Sequence, residues 1–349
     1  WSRSPNSFLQ RWCMADRPCT TSNRATSLDK ILVTPGLELS AREFLVSRLP
    51  GHPITVLKRD GSIPEGAEDA GIVLWCDISN ATIGRTLEQS PAVSWIHACT
   101  AGVDQLWHPE ISRRRIQVTR SPNAAALPVA EWALAAILSL AKRFEYFETM
   151  QQQRRWGDAD RVELLGKSIG IIGTGAIGSA IAERAAAFGM TVVGVNRTGS
   201  DHPAFDETHA ITDIGDVLSD LDFVTLALPL TDETSGLIGA RELSAMSSSA
   251  FLVNVARGAL VDEEALVAAV RDGSIAGAFV DVFTSEPLSP SSPLWDTPGI
   301  TVSPHSAWRS PSSHRRAVLD FIDNLQRREA GELLDQVLFD GPASRVATP

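Results

Sequence analysis

At 349 residues the chain is long enough for two domains, each able to bury a core of its own. Its 44% hydrophobic and 21% charged residues are the composition of an ordinary soluble globular protein. The formal net charge of -11 disfavours binding to nucleic acid, because phosphate backbones attract Lys/Arg-rich faces and repel this balance.

Residues 1–27 are polar and aperiodic; they read as a disordered leader or an expression remnant, with Met14 a candidate initiator. No signal-peptide pattern stands there. Cys13, Cys19, Cys76 and Cys99 form no CxxC pair and have no histidine partner at zinc spacing. They read as reduced thiols of a cytoplasmic protein, with neither a disulfide framework nor a metal site.

Short β-rich runs then alternate with helical patterns: "KILVT", "ITVLK", "GIVLWC", "VSWIHA" and "IQVTR" are separated by stretches such as "SAREFLVSRL". Such alternation predicts a parallel sheet in an α/β domain. A long helix is predicted from Pro128, with Val129, Trp132, Ala136, Ile137 and Leu140 at helical spacing, as a connector between two domains. Its apolar run, Trp132 to Ala141, falls short of the roughly 20 residues that cross a bilayer.

A second alternation runs through "KSIGIIG", "TVVGV", "DFVTLAL", "AFLVNVA", "GAFVDVF" and "ITVSPH". Each run is apolar almost throughout, as strands covered on both faces require. The helix that follows, from Pro311, is predicted to pack back on the first domain. The expected fold is therefore α/β, with two doubly wound parallel-sheet domains and a cleft between them. Residues 28–120 plus 310–349 form one domain and 121–309 the dinucleotide-binding domain.

"GTGAIG", from Gly173 through Thr174, Gly175, Ala176 and Ile177 to Gly178, follows a predicted strand and opens a predicted helix. Gly173 allows the tight turn, Gly175 lets the backbone approach a pyrophosphate, and Gly178 permits close helix–sheet packing. NAD-selective versions place a carboxylate about 20 residues on, where it accepts from the ribose 2′-OH. Here Asn196 removes the repulsion toward a 2′-phosphate, Arg197 offers a guanidinium, and Thr198 and Ser200 add donors. The missing acid predicts NADP(H) as the preferred cofactor, with NAD(H) as the alternative.

Three later segments carry polar residues at the C-terminal ends of predicted strands, where open α/β sheets bind ligands: "VNVARG" with Arg257, "DVFTSEP" with Asp281 and Glu286, and "VSPHSAW" with His305. Taken singly, each is ordinary loop chemistry. Together with "GTGAIG", the segments "LVNVARGALVDEEAL", "GAFVDVFTSEPL" and "SPHSA" resemble the signature segments of the D-isomer-specific 2-hydroxyacid dehydrogenases. "CTAGVDQL" and "AEWALAAILSLAKR" resemble that family's substrate loop and interdomain helix. The likeness runs in register from about Lys30 to about Leu338.

The resemblance implies a Rossmann domain, a flavodoxin-like substrate domain and a homodimer with the long helix in its interface. It implies reduction of a 2-keto acid, glyoxylate- or hydroxypyruvate-like or bulkier, to the D-2-hydroxy acid. In that scheme Arg257 clamps the substrate carboxylate, His305 donates the proton, and Glu286 fixes the imidazole. Backbone amides of Ala101, Gly102 and Val103 are expected to hold the carboxylate from the first domain. Asp281 is expected either near the nicotinamide end of the cofactor or capping a loop. Trp308, a departure from the small residues of many relatives, either walls the substrate pocket or packs in the domain interface. Two other readings are open: a nucleotide-sensing corepressor-like binding protein, and a phosphite-type dehydrogenase on the same scaffold.

Overall fold

The computed structural model describes residues 28–77, 82–103 and 106–339. The leader, with Met14, Cys13 and Cys19, lies outside the described residues, as do Asp104, Gln105 and the stretch from 340. The chain divides into two compact units. One comprises the described residues up to Cys99, Leu106–Thr119 and the stretch from Phe321; the other holds the described part of Thr100–Gln105 together with Arg120–Asp320. Residues 310–320, placed by the sequence with the first domain, thus fall in the second unit.

The first unit contains β1 (Ile31–Val33), α1 (Leu39–Arg48), β2 (Ile54–Val56), β3 (Ile72–Trp75), α2 (Ile83–Gln89), β4 (Trp95–Ala98), α3 (Pro109–Arg114) and most of β5 (Gln117–Arg120). Where β1, β3 and β4 run, every residue is buried, which is why these segments are apolar without alternation apart from His97 in β4. The sheet order is β13-β5-β4-β3-β1-β2, with β13 (Val337–Phe339) added antiparallel to β5. Phe321 stacks on Trp95 at 5.2 Å between ring centroids, so the end of the chain helps to complete this unit's core.

The second unit begins with α4 (Ala126–Lys142) and α5 (Phe144–Gln152). It continues through β6 (Ser168–Ile172), α6 (Ala176–Ala187), β7 (Thr191–Asn196), β8 (Glu207–Ala210), α7 (Ile214–Leu218), β9 (Phe223–Leu226), α8 (Ala240–Ala245), β10 (Phe251–Asn254), α9 (Glu263–Arg271), β11 (Gly277–Val280) and β12 (Ile300–Val302). The helix α10 (Pro311–Ala330) then runs from this unit into the first. All six strand pairs of the seven-stranded sheet β12-β11-β10-β9-β6-β7-β8 are parallel. The order reverses between β6 and β9, the switch point at which such sheets take ligands beyond the carboxyl ends of their strands.

Side-chain alternation assigns the two faces of this sheet. Ile169, Ile171, Phe223, Phe251 and Val253 pack with α4 and α6, while Ile172, Val224, Leu226 and Leu252 pack with Leu218, Leu243 and Leu266 on the other side. The helix α4 buries Val129, Ala133, Ala136, Ile137 and Leu140 in the first of these clusters. The expected connector is therefore a core helix of the second unit, and its apolar stripe is satisfied by that unit's own sheet.

The expectation of four unpaired thiols is corrected for two of them: Cys76 and Cys99 form a disulfide. They follow β3 and β4, which are parallel neighbours with Trp75 opposite Ala98. That register sets the next residue of each strand side by side, with Cα atoms 4.9 Å apart. A separation of 23 residues in sequence conceals the pairing.

Candidate active site

The glycine loop leaves β6 at the switch point. Gly173 has φ of 109°, and a Cβ there would come within 2.5 Å of the Ala227 carbonyl oxygen at the end of β9. Only glycine fits that approach. A Cβ on Gly178 would strike the Gly173 carbonyl, so α6 rests directly on the turn. A Cβ on Gly175, by contrast, would meet nothing within 4 Å. Gly175 is the N-cap of α6 and no side chain caps that helix end. Open space beside uncapped first-turn amides is what a pyrophosphate needs, so these residues fit a dinucleotide.

The three polar segments lie beyond β10, β11 and β12, consecutive strands of the same sheet. After β10, buried Asn254 folds the chain back: its Oδ1 accepts from Ala256 N at 3.0 Å and its Nδ2 donates to Arg257 O at 2.9 Å. Arg257 Nη1 donates to the Ala256 carbonyl at 2.8 Å. A Cβ on Gly258 would collide with the Phe283 backbone, so the Arg257 loop and the segment leading to Glu286 touch main chain to main chain.

His305 and Glu286 are paired. Imidazole Nδ1 lies 2.8 Å from Glu286 Oε2, and the other carboxylate oxygen accepts from Phe283 N at 3.0 Å. A carboxylate can only accept, so Nδ1 donates and Nε2 is the atom left for proton exchange. The side chains are 22% and 29% exposed, open enough to reach a small molecule. Taken together, the sheet end offers a cation, a carboxylate-held imidazole and a dinucleotide turn.

A family profile described as the NAD binding domain of D-isomer specific 2-hydroxyacid dehydrogenase matches residues 134–307. The glyoxylate reductase of Aeropyrum pernix is 36% identical over 251 residues, covering 68% of this chain and 74% of the relative. The chain belongs to the D-isomer-specific 2-hydroxyacid dehydrogenases. Among solved structures, a D-isomer specific 2-hydroxyacid dehydrogenase family protein from Aeromonas salmonicida superposes with a TM-score of 0.80 at 28% identity, over 89% of this chain and 99% of that one. A D-isomer specific 2-hydroxyacid dehydrogenase from Xanthobacter autotrophicus, in complex with NADPH and MES, gives 0.75 at 29% identity, over 89% and 98%. This chain is accordingly an NAD(P)-binding oxidoreductase of the 2-hydroxyacid class.

In this dehydrogenase Asp281 takes the loop-capping place. It is fully buried, and its carboxylate accepts from Ser303 Oγ at 2.5 Å, Ser306 N at 2.9 Å and Ala307 N at 2.9 Å. Its main-chain oxygen accepts from His305 N at 2.7 Å. The carboxylate thus braces the turn that carries His305.

At the end of β7, Asn196 shapes the loop that follows. Its Oδ1 accepts from Thr198 N at 3.0 Å and Gly199 N at 2.8 Å, and its Nδ2 donates to Ser200 O at 2.9 Å. Exposed Arg197 sits on this braced loop. The Glu233 carboxyl is held below its ordinary value chiefly by a hydrogen bond from Thr231, with the Arg197 charge a lesser cause. Arg197 is thus within electrostatic reach of an acid from the other side of the switch point.

Trp308 packs against the α4 and α6 face of the dehydrogenase core, with its ring 5.8 Å from that of His314 on α10. Its indole Nε1 is buried without a hydrogen-bond partner among the described residues. The segment Ala101–Val103, expected to act from the first domain, clusters with the second unit, the same one that holds Arg257, Glu286 and His305. Sequence reasoning did not single out Asn254, whose value lies in a turn three residues long, or Gly258, whose role depends on a neighbour 25 positions away.

Proposed function

We propose that this dehydrogenase uses NADPH to reduce a 2-keto acid of the glyoxylate or hydroxypyruvate kind, or a bulkier one, to the D-2-hydroxy acid. The observation that carries the proposal is the 2.8 Å pair of His305 and Glu286 on the sheet end that also bears Arg257 and the glycine loop. The name of the Aeropyrum pernix relative supports the substrate class, and the NADPH complex from Xanthobacter autotrophicus supports the cofactor.

Gly173–Gly178 and the α6 amides hold the pyrophosphate, and Arg197, Thr198 and Ser200 receive the 2′-phosphate. When bound, NADPH supplies the hydride. Arg257 orients the substrate carboxylate so that the keto carbon stands at the cofactor, where positioning alone lowers the barrier by several kcal/mol. As carbon gains hydride, the keto oxygen gains charge, and His305 gives it the Nε2 proton. Glu286 stabilises the imidazolium before transfer and keeps the ring from turning. One proton and one hydride enter for each keto acid consumed.

The test is a panel of 2-keto acids with NADPH and NADH, followed by the absorbance of the reduced nicotinamide. Turnover of glyoxylate or hydroxypyruvate is expected with NADPH preferred, and His305→Gln should lose on the order of 100-fold to 10,000-fold in kcat. Arg197→Asp should move the NADPH to NADH ratio of kcat/KM by about 10-fold to 100-fold toward NADH. Absence of keto-acid turnover with both cofactors would refute the reaction, and a preference for NADH in the unaltered protein would refute the assignment of Arg197.

A further inference from the structure

The loop after β4 has all three of its leading carbonyls tied down. Thr100 O accepts from Ser121 N at 3.3 Å, Ala101 O from Arg120 Nη1 at 2.9 Å, and Gly102 O from Thr100 Oγ1 at 2.7 Å. In a trans peptide the carbonyl and the following N–H point in opposite directions. The carbonyls are thereby occupied, while the amides of Ala101, Gly102 and Val103 donate to no partner among the described residues. Successive N–H groups left free in a loop are the donors from which anion-binding concavities are built.

Arg120 is the charged member of this arrangement. It stands at the C-terminal end of β5 and is half-buried. Its Nε is buried with no hydrogen-bond partner among the described residues. Burial draws its guanidinium below the ordinary value, and no carboxylate among the described residues opposes that shift. A half-buried cation whose hydrogen-bond partner among the described residues is one carbonyl costs stability unless an anion completes the site. Ordinary packing would be served better by an uncharged side chain.

We propose that Arg120 is a positioning residue for substrate recognition, holding the Ala101 carbonyl so that the loop's amides face the substrate carboxylate and placing a positive charge behind them. The inference rests on the keto-acid reading above and adds a residue to it. The hydrogen bond polarises the peptide between Ala101 and Gly102, which makes the Gly102 N–H a stronger donor. Arg257 and the loop then act on one carboxylate, one through its side chain and the other through main-chain amides. The contribution is to binding rather than to proton transfer, so it belongs in KM.

The experiment compares the unaltered protein with Arg120→Met and Arg120→Lys. KM for glyoxylate, KM for NADPH and kcat are measured, together with the Kd of oxamate in the presence of NADPH by titration calorimetry. Arg120→Met should raise KM for glyoxylate and Kd for oxamate by about 10-fold to 100-fold while KM for NADPH stays within about twofold. Arg120→Lys keeps a charged donor and should recover part of that loss; it also carries the test if the Met variant does not fold. Unchanged oxamate affinity in both variants would overturn the inference, as would a rise in KM for NADPH that matches the rise for glyoxylate. Should the unaltered protein turn over no keto acid, the proposed reaction fails, and the oxamate titration alone decides the role of Arg120. Oxamate bound equally by all three proteins, or by none, then counts against it.

Discussion

His305 has φ of 48°, in the left-handed region where a residue with a Cβ is strained by on the order of 1–3 kcal/mol. Asp281 is what keeps it there, through three hydrogen bonds to its carboxylate and a fourth to its main-chain oxygen. Arg257, Glu286 and His305 were marked in the sequence by the likeness of their segments to the family's signatures, each a few residues past an apolar strand. The part played by Asp281 was not, since its partners lie 22 to 26 positions away. The same holds for His97 on β4, which is fully buried, with Nδ1 2.7 Å from Thr119 Oγ1. Burial lowers its pKa to about 3 from 6.5. Below about pH 6.5 the unfolded chain binds a proton that the folded chain refuses, so the stability linked to His97 is complete above that value. It falls by up to ~1.4 kcal/mol per pH unit as the pH drops toward 3. Denaturant midpoints measured from pH 7 to pH 4.5 should therefore decline less steeply in His97→Leu than in the unaltered protein; identical slopes would remove His97 from the account.

Among the elements, the apolar runs were legible because parallel strands covered on both faces have no reason to alternate. The strand β8 was missed, and its sequence explains why: Glu207, Thr208, His209 and Ala210 sit at the sheet edge, partly exposed, and are extended only because β7 pairs with them. The three-residue β13 was missed for the same reason, its pairing with β5 being set by tertiary contact rather than local pattern. Strand register also governs the cysteines, because no single-strand pattern could show that Cys76 and Cys99 end neighbouring strands. Alkylation of the unfolded protein without reductant should leave both unlabelled and yield a cross-linked peptide in the mass spectrum. Free labelling of the two would show the strand ends to be unbridged in solution.

At the scale of the molecule, the charge of -11 is joined by exposed aromatic and aliphatic groups between residues 144 and 165 of the second unit. Trp156 is entirely exposed, with Phe144 and Leu165 more than half so. Exposed apolar groups such as these cost less where a second chain covers them. The homodimer implied by family resemblance offers a second copy as the cover, so light scattering should give twice the chain mass. Trp156→Ser should move the mass toward that of one chain; a single-chain mass before any substitution would reject the pairing. The division into units was visible in the two alternations of strand and helix, but the exact seams were not, because Thr100 to Val103 and residues 310–320 are assigned by what they touch.

The first unit's sheet closes only when β13 joins β5, and its core only when Phe321 reaches Trp95. The whole of Arg120–Asp320 lies between those partners along the chain. A ribosome therefore releases every residue of the seven-stranded sheet before it makes the piece that completes the six-stranded one. During synthesis the dinucleotide-binding half can mature while the earlier-made half waits, unfinished, for its last strand.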